Sequence, residues 1–145
     1  MSRTLGIDYG EKRIGLAISD PLGIIAQSLP TLILSKNQDI LSELKNLIGE
    51  YEISTMVLGL PKNMDGTLGE VGKKVMEFGK ELSQKINIKV EFWDERLSSV
   101  ESLKILRDEK RKIKRKKDLV DKISASLILQ GYLDRKNSEA LLDEN

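Results

Sequence analysis

The chain has 145 residues, 39% of them hydrophobic and 32% charged, with a formal net charge of +1, which suits one globular domain with a sizeable core. It contains no cysteine and no histidine. That excludes disulfides, thiolate nucleophiles and cysteine zinc sites, and removes the commonest general base and transition-metal ligand. Any chemistry must come from Asp, Glu, Lys, Arg, Ser, Thr or Tyr, and carboxylates around a hard cation such as Mg²⁺ are the natural option. No apolar run approaches the ~20 residues of a membrane span. No basic start followed by an apolar leader is present either, so a cytoplasmic protein without a membrane partner is expected.

The first strand is Arg3 to Asp8, where the apolar run Leu5-Gly6-Ile7 delivers Asp8 to the sheet edge and Gly10 opens a turn. Strand two, Arg13 to Ser19, alternates Ile14, Leu16 and Ile18 with Gly15, Ala17 and Ser19, which gives one bulky face and one small face. The small face would let a helix approach closely. Asp20-Pro21-Leu22-Gly23 is a turn by composition. Strand three is expected from Ile24 to Leu34, at an edge because Pro30 lacks a ladder donor. Short connections imply that these three strands are antiparallel.

The period then lengthens. Ser35 or Asn37 can cap a helix running to Tyr51, with Ile40, Leu41, Leu44, Leu47 and Ile48 on one face. Ser54 to Leu60 suits a strand buried on both sides of a parallel pair. A helix from Leu68 to Ile86 places Val71, Val75, Phe78, Leu82 and Ile86 on one stripe, weakened by Gly72 and Gly79. Ile88, Val90 and Phe92 alternate in a fifth strand, and Ser98 or Ser99 can cap the next helix. The last helix is expected from Asp118 to Asp134, with Val120, Ile123, Leu127, Ile128 and Leu129 buried. The order predicts an α/β fold: a five-stranded mixed sheet, antiparallel in strands 1–3 and parallel in strands 4 and 5, with helices on both faces. Residues 1–137 read as a single domain and 138–145 as an acidic tail.

Functional groups in such sheets gather where strands end. Besides Asp8 there are Asp94 and Glu95 after strand five, and Asp118 and Asp121 in the last helix. Such carboxylates need a cation, because like charges otherwise repel or take up protons. Two ions about 4 Å apart could activate water and stabilise a leaving oxygen in phosphodiester cleavage. Each acid also has an ordinary role: Asp8 as a turn residue, Glu95 as a surface ion-pair partner, Asp118 and Asp121 as cap and first-turn acid. The loop Gly59-Leu60-Pro61-Lys62-Asn63-Met64-Asp65-Gly66 follows strand four and precedes a helix. Gly59, Pro61, Asn63, Asp65 and Gly66 could form a substrate loop, or simply a β-to-α turn, and no Walker A pattern occurs. Arg13 and Arg96 are candidate phosphate contacts. The stretch Lys110, Arg111, Lys112, Lys114, Arg115, Lys116 and Lys117, expected to be partly mobile, suggests a nucleic-acid partner, or else a solvated helix end.

Taken in order, the segments resemble the YqgF/RuvX family of Holliday-junction resolvases or pre-16S rRNA nucleases. The resemblance rests on Asp8-Tyr9-Gly10 with Arg13-Ile14-Gly15, on Gly59-Leu60-Pro61 through Asp65-Gly66, on Asp94-Glu95-Arg96-Leu97, and on Asp121 through Leu129. Ser124 replaces an alanine, Lys62 an apolar residue, and Ser98-Ser99 a usual threonine. The resemblance implies an RNase H-like fold and an acidic metal-binding and catalytic triad of Asp8, Glu95 and Asp121, with Mg²⁺ or Mn²⁺ as cofactor. Asp118 would then cap its helix. Many members of the wider superfamily place a carboxylate at the end of strand four, where this chain has Gly59. The implied activity is hydrolysis of structured nucleic acid, most favoured at the 5′ end of pre-16S rRNA. Cleavage of branched DNA, a non-catalytic nucleic-acid-binding module and an actin-like phosphotransferase are the alternatives. The protein is expected as a monomer or weak homodimer.

Overall fold

β1 (Arg3–Tyr9), β2 (Arg13–Ser19) and β3 (Ala26–Ile33) form an antiparallel meander. β4 (Ile53–Leu60) and β5 (Lys89–Asp94) extend the sheet in parallel beyond β1, in the order β3-β2-β1-β4-β5. The computed structural model describes residues 2–35, 39–109 and 114–143, the side chains of 105–109 and 114–118 excepted. The helices are α1 (Ile40–Tyr51), α2 (Glu70–Ile86), α3 (Val100–Glu109) and α4 (Lys114–Asp143), and a single 3₁₀ turn, Glu95–Leu97, follows β5. The expected mixed sheet is present, with Pro30 on an edge strand.

The period-two pattern of the first two strands decides what each face carries. Leu5, Ile7, Ile14, Leu16 and Ile18 point to one side, where Met56 and Leu58 of β4 join Leu44 of α1 and Val75 and Leu82 of α2. Fully burying each of these side chains is worth about 2 kcal/mol. The opposite face is paved with small residues. A Cβ on Gly6 would stand 2.7 Å from Leu129 Cβ, and one on Gly15 only 2.4 Å from the Asp121 carbonyl oxygen. α4 can therefore settle onto the sheet almost backbone to backbone, where Ala17, Ala125, Leu129 and Leu133 form one cluster and Val57, Trp93, Val100 and Ile128 another. Helices thus cover both faces.

Several boundaries differ from the sequence expectation for local reasons. Asp20 Oδ1 accepts hydrogen bonds from the Ile24 and Ile25 amides at 2.7 and 2.9 Å, so these residues belong to the turn and β3 starts at Ala26. Asp39 caps α1 through the Ser42 amide, in place of Ser35 or Asn37, and Asn37 lies outside the described residues. The buried stripe of α2 is Gly72, Val75, Gly79 and Leu82, while Val71 is 56% exposed because Gly79, packed on Phe92 and Val90 of β5, and Gly72, packed on Pro61 and Leu68, set which side of the helix faces inward. Ile123 is likewise exposed, on the flank of α4 away from the cluster.

The largest difference is the length of α4. It begins at Lys114, so Asp118 lies in its second turn and does not cap it. It continues through residues 138–143, the acidic tail, where Glu, Ala and Leu favour helix. No helix among the described residues is long and apolar enough to cross a membrane.

Candidate active site at the ends of the central strands

Asp8 lies opposite Gly15 in the β1–β2 ladder. It follows Gly6 by two residues and so shares the small face of the sheet, under α4. Only 5% of it is exposed. Gly10 then turns the chain away: a Cβ there would meet the Arg13 carbonyl at 2.6 Å, so the tight return to β2 requires its absence. With Gly15 opposite it, Asp8 near the end of β1 meets no side chain from its partner on the next strand.

Glu95 enters from the other side. β5 pairs in register with β4 up to Leu60 and Asp94, and Glu95 starts the 3₁₀ turn that follows. Its side chain is fully buried. The space comes from Gly59, where a Cβ would lie 2.7 Å from Glu95 Oε2 and 2.3 Å from Ile128 Cδ1. The end of strand four thus contributes room, and the carboxylate from strand five leans over it. Asp94 faces elsewhere: it accepts from the Arg96 amide and, through Oδ1 and Oδ2, from Nε and Nη2 of the Arg96 guanidinium.

Asp121 is held where α4 crosses Gly15, and it is 5% exposed. Arg13 Nε lies 3.3 Å from its Oδ2. Arg13, expected as a phosphate contact, here pairs with a candidate ligand. Lys104 of α3 does the same for the other two acids. Its ammonium is 2.7 Å from Asp8 Oδ1 and 2.9 and 3.1 Å from the two oxygens of Glu95.

These contacts set the electrostatics. Burial raises the Glu95 carboxyl above the usual carboxylate range, against the pull of the Lys104 ammonium, and the Asp8 charge adds to the rise. Burial alone would depress Lys104, but Asp8 and Glu95 together overcome it and hold the ammonium above its ordinary value. Among the described residues, no three acidic side chains stand together as a ready-made metal cage. The donor set nonetheless fits a hard divalent cation. Carboxylate oxygens from two strand ends already converge on one positive charge, and all are hard donors of the type Mg²⁺ and Mn²⁺ accept.

Lys104 is the residue that sequence reasoning missed, since it lies outside the basic stretch 110–117 and outside every motif singled out. The available signal was its spacing: Val100, fully buried, is four residues earlier and shares the same helix face.

The loop after β4 is fixed by its own bonds. Asp65 accepts from the Thr67 amide and hydroxyl, Asn63 donates to Thr67, and Gly66 takes φ +88°. Arg96, beside this loop, donates from Nη1 to the carbonyls of Asn63 and Met64 at 3.4 and 3.3 Å. Its guanidinium therefore clasps the loop to the end of β5. Arg96→Ala should speed hydrogen exchange at the Gly66 and Thr67 amides by about tenfold, while global stability changes by less than about 1 kcal/mol. Unchanged exchange at those amides would show that the loop holds itself. Of the basic stretch, Lys110, Arg111 and Lys112 lie outside the described residues, as do the side chains of Lys114, Arg115, Lys116 and Lys117. The expected mobility there lies outside them too.

A mixed sheet of this order with helices on both faces is the RNase H-like fold. Solved structures agree on the fold. T. thermophilus RuvC, in a structure with Holliday junction substrate, superposes with a TM-score of 0.53 at 12% identity, covering 94% of this chain and 96% of that one. The fowlpox virus Holliday junction resolvase gives 0.50 at 13% identity, covering 92% and 99%. The family follows from sequence: residues 2–135 match the family model described as "RuvX: Holliday junction resolvase". The chain belongs to the RuvX family. It is 47% identical over 133 residues to a Clostridium botulinum (strain Alaska E43) protein named "Putative pre-16S rRNA nuclease", covering 92% of this chain and 97% of the relative. It is 46% identical over 139 residues to a protein of the same name from Thermoanaerobacter pseudethanolicus, covering 94% and 99%.

Proposed function

We propose that this protein is a divalent-metal-dependent nuclease that hydrolyses phosphodiester bonds in structured nucleic acid, with the 5′ end of pre-16S rRNA as its substrate. The observation that carries the reading is the convergence of Asp8 and Glu95, two buried carboxylates from different strand ends, on a single cation position. Family membership and the names of relatives at 46–47% identity support nuclease chemistry; the relatives' names favour ribosomal RNA, whereas the family's description names a DNA junction. The composition allows it, since metal-assisted hydrolysis needs neither histidine nor cysteine.

Asp8, Glu95 and Asp121 are the side chains that would hold Mg²⁺ or Mn²⁺. When bound, the metal supplies an activated water and stabilises the charge that develops on the phosphate. Burial keeps Asp8 and Glu95 in a setting of low dielectric, where an oxygen-bound cation is held strongly. Arg13 pairs with Asp121 and would fix its carboxylate while no metal is bound. The loop 59–66, clasped by Arg96, borders the same edge of the sheet and would limit how a backbone enters. The basic stretch 110–117 would hold flanking phosphates, with binding that weakens as salt rises. A cytoplasmic location fits this reading.

The test is to incubate the purified protein with Mn²⁺ and either a pre-16S rRNA 5′ fragment or a four-way DNA junction. Shortening of the RNA to a defined end, with the junction intact, is the expected result. Paired cuts in the junction alone would establish the resolvase instead. Salt-sensitive binding with no product from either substrate would establish a non-catalytic module.

A further inference from the structure

The Lys104 ammonium is not placed as a surface lysine. Its side chain is 19% exposed, between Asp8 at 5% and the fully buried Glu95. It lies within hydrogen-bonding reach of three carboxylate oxygens, at 2.7, 2.9 and 3.1 Å, which can use all three of its N–H donors. A divalent cation bound by Asp8 and Glu95 must lie about 2.0–2.2 Å from their oxygens. That point and the ammonium position overlap, so the two cations exclude one another.

We propose that Lys104 is an exchangeable counter-ion: its ammonium fills the cation position between Asp8 and Glu95 in the metal-free protein, and divalent metal enters only by expelling it. The proposal rests on the reading of Asp8 and Glu95 as metal ligands. The geometry gives the exchange a reason. Two neighbouring carboxylates this deeply buried would be left uncompensated without some cation, so a lysine on a flexible four-carbon stem permits the empty site to fold. The same stem lets the ammonium swing out without unfolding α3, whose buried Val100 remains seated. Metal affinity is then lower than the carboxylates alone would give, because each binding event must break the lysine contacts. Expulsion also frees a positive charge at the mouth of the site, beside the edge where a phosphate backbone would arrive.

The experiment uses the full chain and Mn²⁺ alone as probe. Lysine acylation read by mass spectrometry compares Lys104 with the exposed Lys80, with and without Mn²⁺. Calorimetry measures Mn²⁺ binding to the wild type, to Lys104→Met and to Asp8→Asn. Exchange predicts that saturating Mn²⁺ raises Lys104 acylation by at least about fivefold while Lys80 is unchanged. It also predicts that Lys104→Met binds Mn²⁺ at least about tenfold more tightly, and that Asp8→Asn loses binding. Mn²⁺ binding to the wild type with Lys104 acylation unchanged would overturn the exchange and leave the metal site standing. Absence of Mn²⁺ binding in both the wild type and Lys104→Met would overturn the metal site and the exchange together. Should Lys104→Met fail to fold without metal, the wild-type acylation result decides alone.

Discussion

Asp8→Asn is expected to lower phosphodiester cleavage by at least about 10³-fold, equivalent to about 4 kcal/mol in the barrier, while the protein stays folded. The substitution keeps the shape of the side chain and removes its charge. A neutral amide is a poor ligand for a hard cation, and Asp8 is one of the two carboxylates that, among the described residues, meet at the Lys104 position. The fold should tolerate the change because the β1 ladder to β2 and β4 is made by backbone groups. The amide oxygen can also still accept from Lys104. Steady-state cleavage rates beside a thermal melt check both halves. Full activity in the mutant would remove Asp8 from the chemistry.

Gly15→Val should both destabilise the protein and impair the site. The missing side chain at position 15 is the space in which α4 rests: a Cβ would meet the Asp121 carbonyl oxygen at 2.4 Å, its carbon at 3.1 Å and Ala125 Cβ at 3.4 Å. The first two are backbone atoms, so no rotamer change relieves them and the helix itself must move. Overpacking of this kind costs about 1–3 kcal/mol, and a shift near 1 Å in a reacting group costs about 10²-fold in rate. Gly49 supplies the control. It lies in α1, and nothing stands within 4 Å of the place an added methyl group would take, so Gly49→Ala should stabilise by about 0.5–1 kcal/mol. Denaturant melts of the two variants test the contrast. A neutral Gly15→Val would show that α4 is not seated there as described.

The strands and their order were legible because the first half of the chain alternates so regularly. Ile14, Leu16 and Ile18 against Gly15, Ala17 and Ser19 announced both a core face and a face for a close-packed helix, and each took its place. Asp8 and Glu95 could be expected at one edge once β1 was placed beside β4. What stayed hidden depends on packing between distant segments. Val71 fits the helical stripe of α2, but β5 presses against Gly79 and the loop residues Pro61 and Leu68 against Gly72. Asp118 looks like a cap only if the helix starts there, and nothing in the run of lysines before it forbids helix. Lys104 is a cation among many in sequence, and only the burial of Val100 and the approach of two strand ends single it out.

α4 is one unbroken rod of 30 residues, about 45 Å long at 1.5 Å per residue. It carries Asp121 near one end, and Gln130 and Asn137 bond the Ala26 amide and the Gly23 carbonyl farther along. Each residue of an α-helix turns the rest by about 100°. Length changes are therefore not equivalent along it. A single insertion between Asp121 and Leu133 would rotate the acid away from the strand ends or lift Leu129 off Gly6, with no loop to absorb the error. Residues added beyond Asn137 would only lengthen the exposed end. The segment that looks most uniform in secondary structure is thus the one whose spacing the chain is least free to change, and natural variation in length should collect at its far end.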